Sequence, residues 1–104
     1  MEYQKSFFGK TIIDSSDSEE INSDEKIELE YYKTNNLTKT DDKKYGIAVL
    51  KRDIKKNESN IETKIVNNIS NEENTISRLL EILMINKVTP ISVDDVISDI
   101  SVLD

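Results

Sequence analysis

Around residue 70 the chain writes out a helix whose start, buried face and stop all agree, and this agreement limits the fold more than any other feature. Ser70 and Glu73 have the spacing of a capping box. Ile76, Leu79, Leu80, Leu83 and Met84 recur at the interval of one helical face, and Asn86 precedes Val88, Thr89 and Pro90, where a helix stops. The spacing predicts a helix over residues 71–85, roughly four turns and about 22 Å long. Ile82 and Ile85 widen its apolar stripe, and a stripe that wide covers one face of a sheet. After Pro90, Ser92 and Asp95 repeat the start signal, and Val93, Val96, Ile97 and Ile100 recur at helical spacing. Asp94 and Asp95 would sit favourably against the positive end of that helix dipole. A second, short helix over 92–101 is expected.

Upstream of residue 70 the apolar period changes to two. Residues 26–34 alternate Ile27, Leu29 and Tyr31 with Glu28, Glu30 and Tyr32, the pattern of a half-buried strand. Residues 45–52 alternate Tyr45, Ile47 and Val49 with Gly46, Ala48 and Leu50, and the small residues at 46 and 48 indicate something packed closely over that face. Ile61, Thr63 and Ile65 alternate with Glu62 and Lys64 in a third strand that should end near Asn67 and Asn68. Strands joined by loops of roughly 8–10 residues make an antiparallel meander. The expected fold is therefore α+β: a three-stranded antiparallel meander followed by two helices packed on one sheet face.

Residues 1–13 carry Tyr3, Phe7, Phe8, Ile12 and Ile13 without a clean period, which fits a short strand or a peptide laid on the domain. Residues 14–25 are polar and acidic with a single isoleucine, too little apolar surface to offset the entropy of ordering. The expected organisation is a flexible acidic segment over 1–25 and one small α+β domain over 26–104.

Composition narrows the function. A hydrophobic fraction of 36% in 104 residues supports one modest core. Residues 1–30 carry a net charge of −6, residues 31–66 carry +4 and residues 67–104 carry −5, for a total of −7. An acidic total repels a polyanion at long range, so nucleic acid is disfavoured as a partner. With no cysteine there are no disulfides, thiolate nucleophiles or thiolate metal sites, and with no histidine the commonest general base is missing. Paired carboxylates need a cleft that so small a core rarely provides, so no enzymatic activity and no cofactor are expected. No stretch approaches 18 apolar residues and the first ten residues lack a secretory core, so a cytoplasmic protein without a membrane segment is expected.

Three polar groupings carry the residue types of a binding site. Asp94, Asp95 and Asp99 resemble an oxygen-ligand set for a hard cation, but capping and a solvated helix face account for them. Asp14, Asp17, Glu19 and Glu20 read as a solvated linker. Lys43, Lys44, Lys51, Arg52, Lys55 and Lys56 line the second strand and its loops, with Tyr31, Tyr32 and Tyr45 near in sequence. Basic and aromatic side chains interleaved on a sheet can bind single-stranded nucleic acid, whereas tyrosines filling the sheet and lysines shielding its edges need no ligand.

Several phrases carry a resemblance. YYKT at 31–34, YGIAV at 45–49 and the stretch 79–99, with VTP at 88–90 and DDVISD at 94–99, resemble a family of small proteins from clostridia-like bacteria known as a domain of unknown function. The resemblance covers residues 27–100. It implies a bacterial cytosolic protein of β-then-α order, and it supplies no activity, substrate or catalytic residue.

A narrow sheet leaves edges and one face over. The expected function is a non-catalytic regulatory or adaptor module that binds another protein, or itself, with Phe7, Phe8, Tyr31, Tyr32, Lys51 and Arg52 as the candidate interaction surface. The alternative is RNA or single-stranded nucleic-acid binding through the basic middle third.

Overall fold

The sheet has four strands, and the fourth comes from the N-terminus. A computed structural model describes residues 3–17, 25–37, 44–55 and 58–100, with side chains described outside 55–59. Strands β1 (Tyr3–Ile13), β2 (Lys26–Asn36), β3 (Tyr45–Lys55) and β4 (Glu58–Ser70) pair antiparallel in the order β1-β2-β3-β4. Helix α1 (Glu73–Ile85), a 3₁₀ turn (Pro90–Ser92) and helix α2 (Val93–Asp99) follow. The α+β class, the antiparallel meander and the helices packed after it agree with the sequence reading, while the strand number does not. The missing strand is β1, which pairs with β2 from Tyr3 opposite Asn36 to Ile13 opposite Ile27.

A bulge explains why β1 has no clean period. Phe7 stands opposite Tyr32 and Gly9 opposite Tyr31, so Phe8 is an extra residue and the alternation resets there. Phe8 packs against the core, while Phe7 is 60% exposed. The absence of a side chain on Gly9 makes room for the Met84 sulfur of α1, which a Cβ would meet.

One face of the sheet carries the core. Leu29 and Tyr31 of β2 and Ile47 and Val49 of β3 are fully buried against Ile76, Leu79, Leu80 and Leu83 of α1, together with Val88 and Val93. α1 touches all four strands. Val96, Ile97 and Ile100 pack half-buried against the same core, as their spacing predicts. Ile85, expected to widen the stripe of α1, is instead 69% exposed at its last turn.

Two start signals act differently from expectation. Ser70 is the last residue of β4 and its hydroxyl accepts the Glu72 N–H at 3.0 Å. Glu72 occupies the N-cap of α1 without a side-chain cap bond, so the capping box of Ser70 and Glu73 is not made; Glu73 instead accepts from Lys33 Nζ at 2.8 Å. Ser92 likewise caps α2 without a side-chain bond, because the 3₁₀ turn starting at Pro90 already leads into the helix. Asn67 and Asn68, expected to end the third strand, mark a bulge: Ile47 pairs with Val66 but Tyr45 with Ser70, and Asn68 takes a left-handed φ of 59° that asparagine tolerates.

The expected linker begins with a tied turn. The Asp14 carboxylate accepts from the Ser16 N–H at 2.9 Å and its hydroxyl at 2.6 Å, and Lys87 Nζ donates to Asp17 at 2.7 Å. Residues 18–24 lie outside the described residues. The bonds from Ser16 hold the Asp14 carboxyl below its ordinary range, and the bond from Lys87 does the same for Asp17. A carboxyl whose pKa is lower folded than unfolded stabilises above the unfolded value and loses that contribution as pH falls through the folded one. Both carboxyls should therefore titrate below 3.8 by NMR, and the turn should loosen only in that acid range. Titration at or above 3.8 would show that these bonds do not persist in solution.

Candidate functional site

The described helices all lie on one side of the sheet, and no described element covers the other side. Register determines what that bare face shows. Because side chains alternate along a strand, residues opposite one another across the ladder share a face. One row crosses the whole sheet as Phe7, Tyr32, Ala48 and Ile65. The next holds Lys10, Glu30, Leu50 and Thr63, and the third holds Ile12, Glu28, Arg52 and Ile61.

The first row is apolar or aromatic from edge to edge. Phe7 meets Tyr32 edge-on at 5.6 Å between ring centroids, with an interplanar angle of 75°, and Lys5 Nζ sits 4.6 Å from the Tyr32 ring centre. Ala48 is closed off at 1% exposure, whereas Ile65 and Ile61 are 54% and 58% exposed and Ile12 39%. Large apolar side chains therefore stand around a small central one.

A charged cluster lies beside that row. Arg52 Nη1 approaches Glu28 Oε2 at 3.3 Å and Glu30 Oε2 at 3.8 Å, and Lys10 Nζ approaches Glu28 Oε2 at 3.4 Å. The Tyr32 hydroxyl donates to Glu30 Oε1 at 2.6 Å, and acceptance by that carboxylate raises the pKa of the hydroxyl. The cluster is cross-strand and half-buried, so its charges are largely matched within the face.

The six residues singled out from sequence divide between the two faces. Phe7, Tyr32 and Arg52 come together on the bare face. Tyr31 is buried in the core, where its hydroxyl donates to the Val88 carbonyl at 2.9 Å, and burial pushes its pKa far above the ordinary range. It is therefore no part of a surface. Phe8 also turns to the core, and Lys51 pairs with Leu29, which puts it on the helix side. Lys44 stacks over Tyr45 at 5.2 Å. Lys43, Lys56 and the side chain of Lys55 lie outside the described residues. Asp94 of the candidate cation set is paired with Lys64 at 2.8 Å.

The alternation of Ile61, Thr63 and Ile65 with Glu62 and Lys64 marks a strand without saying which side is buried, and the register decides it. Val49 stands opposite Lys64 and Ile47 opposite Val66, so Lys64 and Val66 share the helix side while Ile61 and Ile65 face outward. A shallow groove of about 550 Å³ runs on the helix side between β4 and the 3₁₀ turn, lined by Glu62, Lys64, Pro90, Ile91 and Asp94, with Thr63 at its wall.

The fold and this face define a two-layer α+β domain with one sheet face uncovered and an apolar row across it. The model of a family of unknown function, DUF6514, matches residues 10–102, and the chain belongs to that family. The match begins within β1, further towards the N-terminus than the phrases near residue 27 indicate. Comparison with curated proteins gives no match, and comparison with solved structures gives none. No described helix is long and apolar enough to cross a membrane.

Proposed function

We propose that this protein is a non-catalytic regulatory or adaptor module of the bacterial cytoplasm, of clostridial type, acting by protein–protein contact through the bare sheet face. One observation carries the reading: the row Phe7, Tyr32, Ala48 and Ile65 leaves three large apolar or aromatic side chains accessible around a small centre. Large apolar side chains exposed together on one face of a small domain mark a contact surface. The groups on the face suit recognition better than turnover, since its carboxylates are engaged with Arg52 and Lys10.

RNA or single-stranded nucleic acid is the second reading, favoured by the Phe7 and Tyr32 rings beside Lys5, which could stack on bases and meet a phosphate. The proposal is tested by affinity purification of the wild type and of Phe7→Lys and Ile65→Lys, with bound protein and RNA both identified. Both side chains are more than half exposed, so the variants should fold. Loss of a defined protein, another protein or the untagged chain itself, in both variants is the expected result. Selective recovery of RNA by the wild type, weakening steeply with salt, would favour the second reading.

A further inference from the structure

We propose that the partner of the bare face is a second copy of this chain, packed sheet against sheet about a two-fold axis that runs along the strands between β2 and β3. The inference rests on the reading of that face as the contact surface and names what occupies it.

The argument comes from register. A two-fold axis along the strands keeps each cross-strand row at its own height and reverses its order, so β1 lies over β4 of the second copy and β2 over its β3. In the apolar row this sets Tyr32 over the second copy's Ala48 and Phe7 over its Ile65. A large ring is set over a small residue that its own neighbours already cover, and the exposed aromatic meets the exposed isoleucine. In the third row Glu28 falls over the second copy's Arg52, and Ile12 over its Ile61. Opposite charges face each other twice, once on each side of the axis, and apolar residues meet at both rims. The remaining row sets Glu30 over Leu50, where Glu30 keeps its bonds within its own chain to Tyr32 and Arg52. Aligned sheets cross at about 30°, so this correspondence is closest near the axis, where Tyr32, Ala48, Glu28 and Arg52 lie.

Area agrees. Four strands span about 19 Å, and the stretch between the rows of Lys26 and Thr34 about 26 Å, which is about 500 Å² per copy and about 1,000 Å² in all. That is the lower bound for a specific interface and fits a reversible dimer that forms with concentration. The assembly would have four layers, with helices outside and two sheets within.

Sedimentation equilibrium of the wild type from micromolar to millimolar concentration should show a monomer–dimer exchange, and Phe7→Lys and Ile65→Lys should each weaken it by at least about tenfold. Geometry is tested by cross-linking, because the chain has no cysteine of its own. A mixture of Phe7→Cys and Ile65→Cys chains should cross-link between unlike chains, while either variant alone should not, since the two β1 strands lie on opposite sides of the axis. A wild type that stays monomeric throughout, a dimer unaffected by both lysine variants, or cross-links between like chains would each overturn the proposal. A monomer whose recovery of a cellular protein still depends on Phe7 and Ile65 overturns the dimer and leaves the adaptor reading standing. A face-dependent dimer that recovers no other protein supports the dimer and removes the adaptor role.

Discussion

Gly46→Ala should destabilise the domain by about 3 kcal/mol or more, at the upper end for overpacking a tight site. Gly46 lies where β4 shifts its register against β3 and the two backbones close on each other. A Cβ there would run into the Val66 carbonyl oxygen, and would also lie 2.8 Å from Thr34 Oγ1 and 2.9 Å from the Asn67 Cα. Two of those three atoms are backbone, which cannot swing aside as a flexible side chain can. The Thr34 hydroxyl is already buried without a hydrogen-bond partner among the described residues. Denaturant unfolding followed by circular dichroism measures the loss, and a change below about 1 kcal/mol would mean that the bulge relaxes freely. Gly9→Ala is the control, because the atoms a Cβ would meet there belong to the mobile end of Met84.

Leu80→Ala should cost about 2–5 kcal/mol, the sum of lost transfer energy and an unfilled cavity. Leu80 is fully buried in the middle of α1, over the sheet positions held by Leu29, Tyr31, Ile47 and Val49. A domain with one modest core has few other contacts to take up the loss, so the midpoint of thermal or urea unfolding should drop markedly. Ile85→Ala, on the same helix but 69% exposed, should change stability by less than about 0.5 kcal/mol. Equal losses at the two positions would mean that α1 presents a different face to the sheet.

The contrast between these two substitutions shows which information was local. The stripe of Ile76, Leu79, Leu80 and Leu83 is written at helical spacing and is the stripe that becomes buried, because helical periodicity comes from the backbone alone. The alternation of Leu29 with Glu28 and Glu30, and of Ile47 and Val49 with their neighbours, likewise names strands β2 and β3 before any contact is known. The small size of Gly46 and Ala48 misleads, because both are buried within the sheet itself, Gly46 against the Val66 carbonyl and Thr34, while no described element is packed over their face.

Three matters were decided only by the tertiary structure. Strand β1 hides behind its bulge: Phe8 is an added residue, so Phe7 and Ile12 share the bare face although their spacing in a regular strand would separate them. The direction of β4 is a second. The alternation of Ile61, Thr63 and Ile65 marks a strand but not which side faces the helices, and pairing Val49 with Lys64 turns those isoleucines outward. The bare face is the third, since it draws Phe7, Tyr32, Ala48, Arg52 and Ile65 from four strands far apart in the chain. Periodicity within a segment is a property of local backbone geometry and can be read residue by residue. Which face of a sheet is covered depends on register between segments, and register is settled by packing across the whole fold.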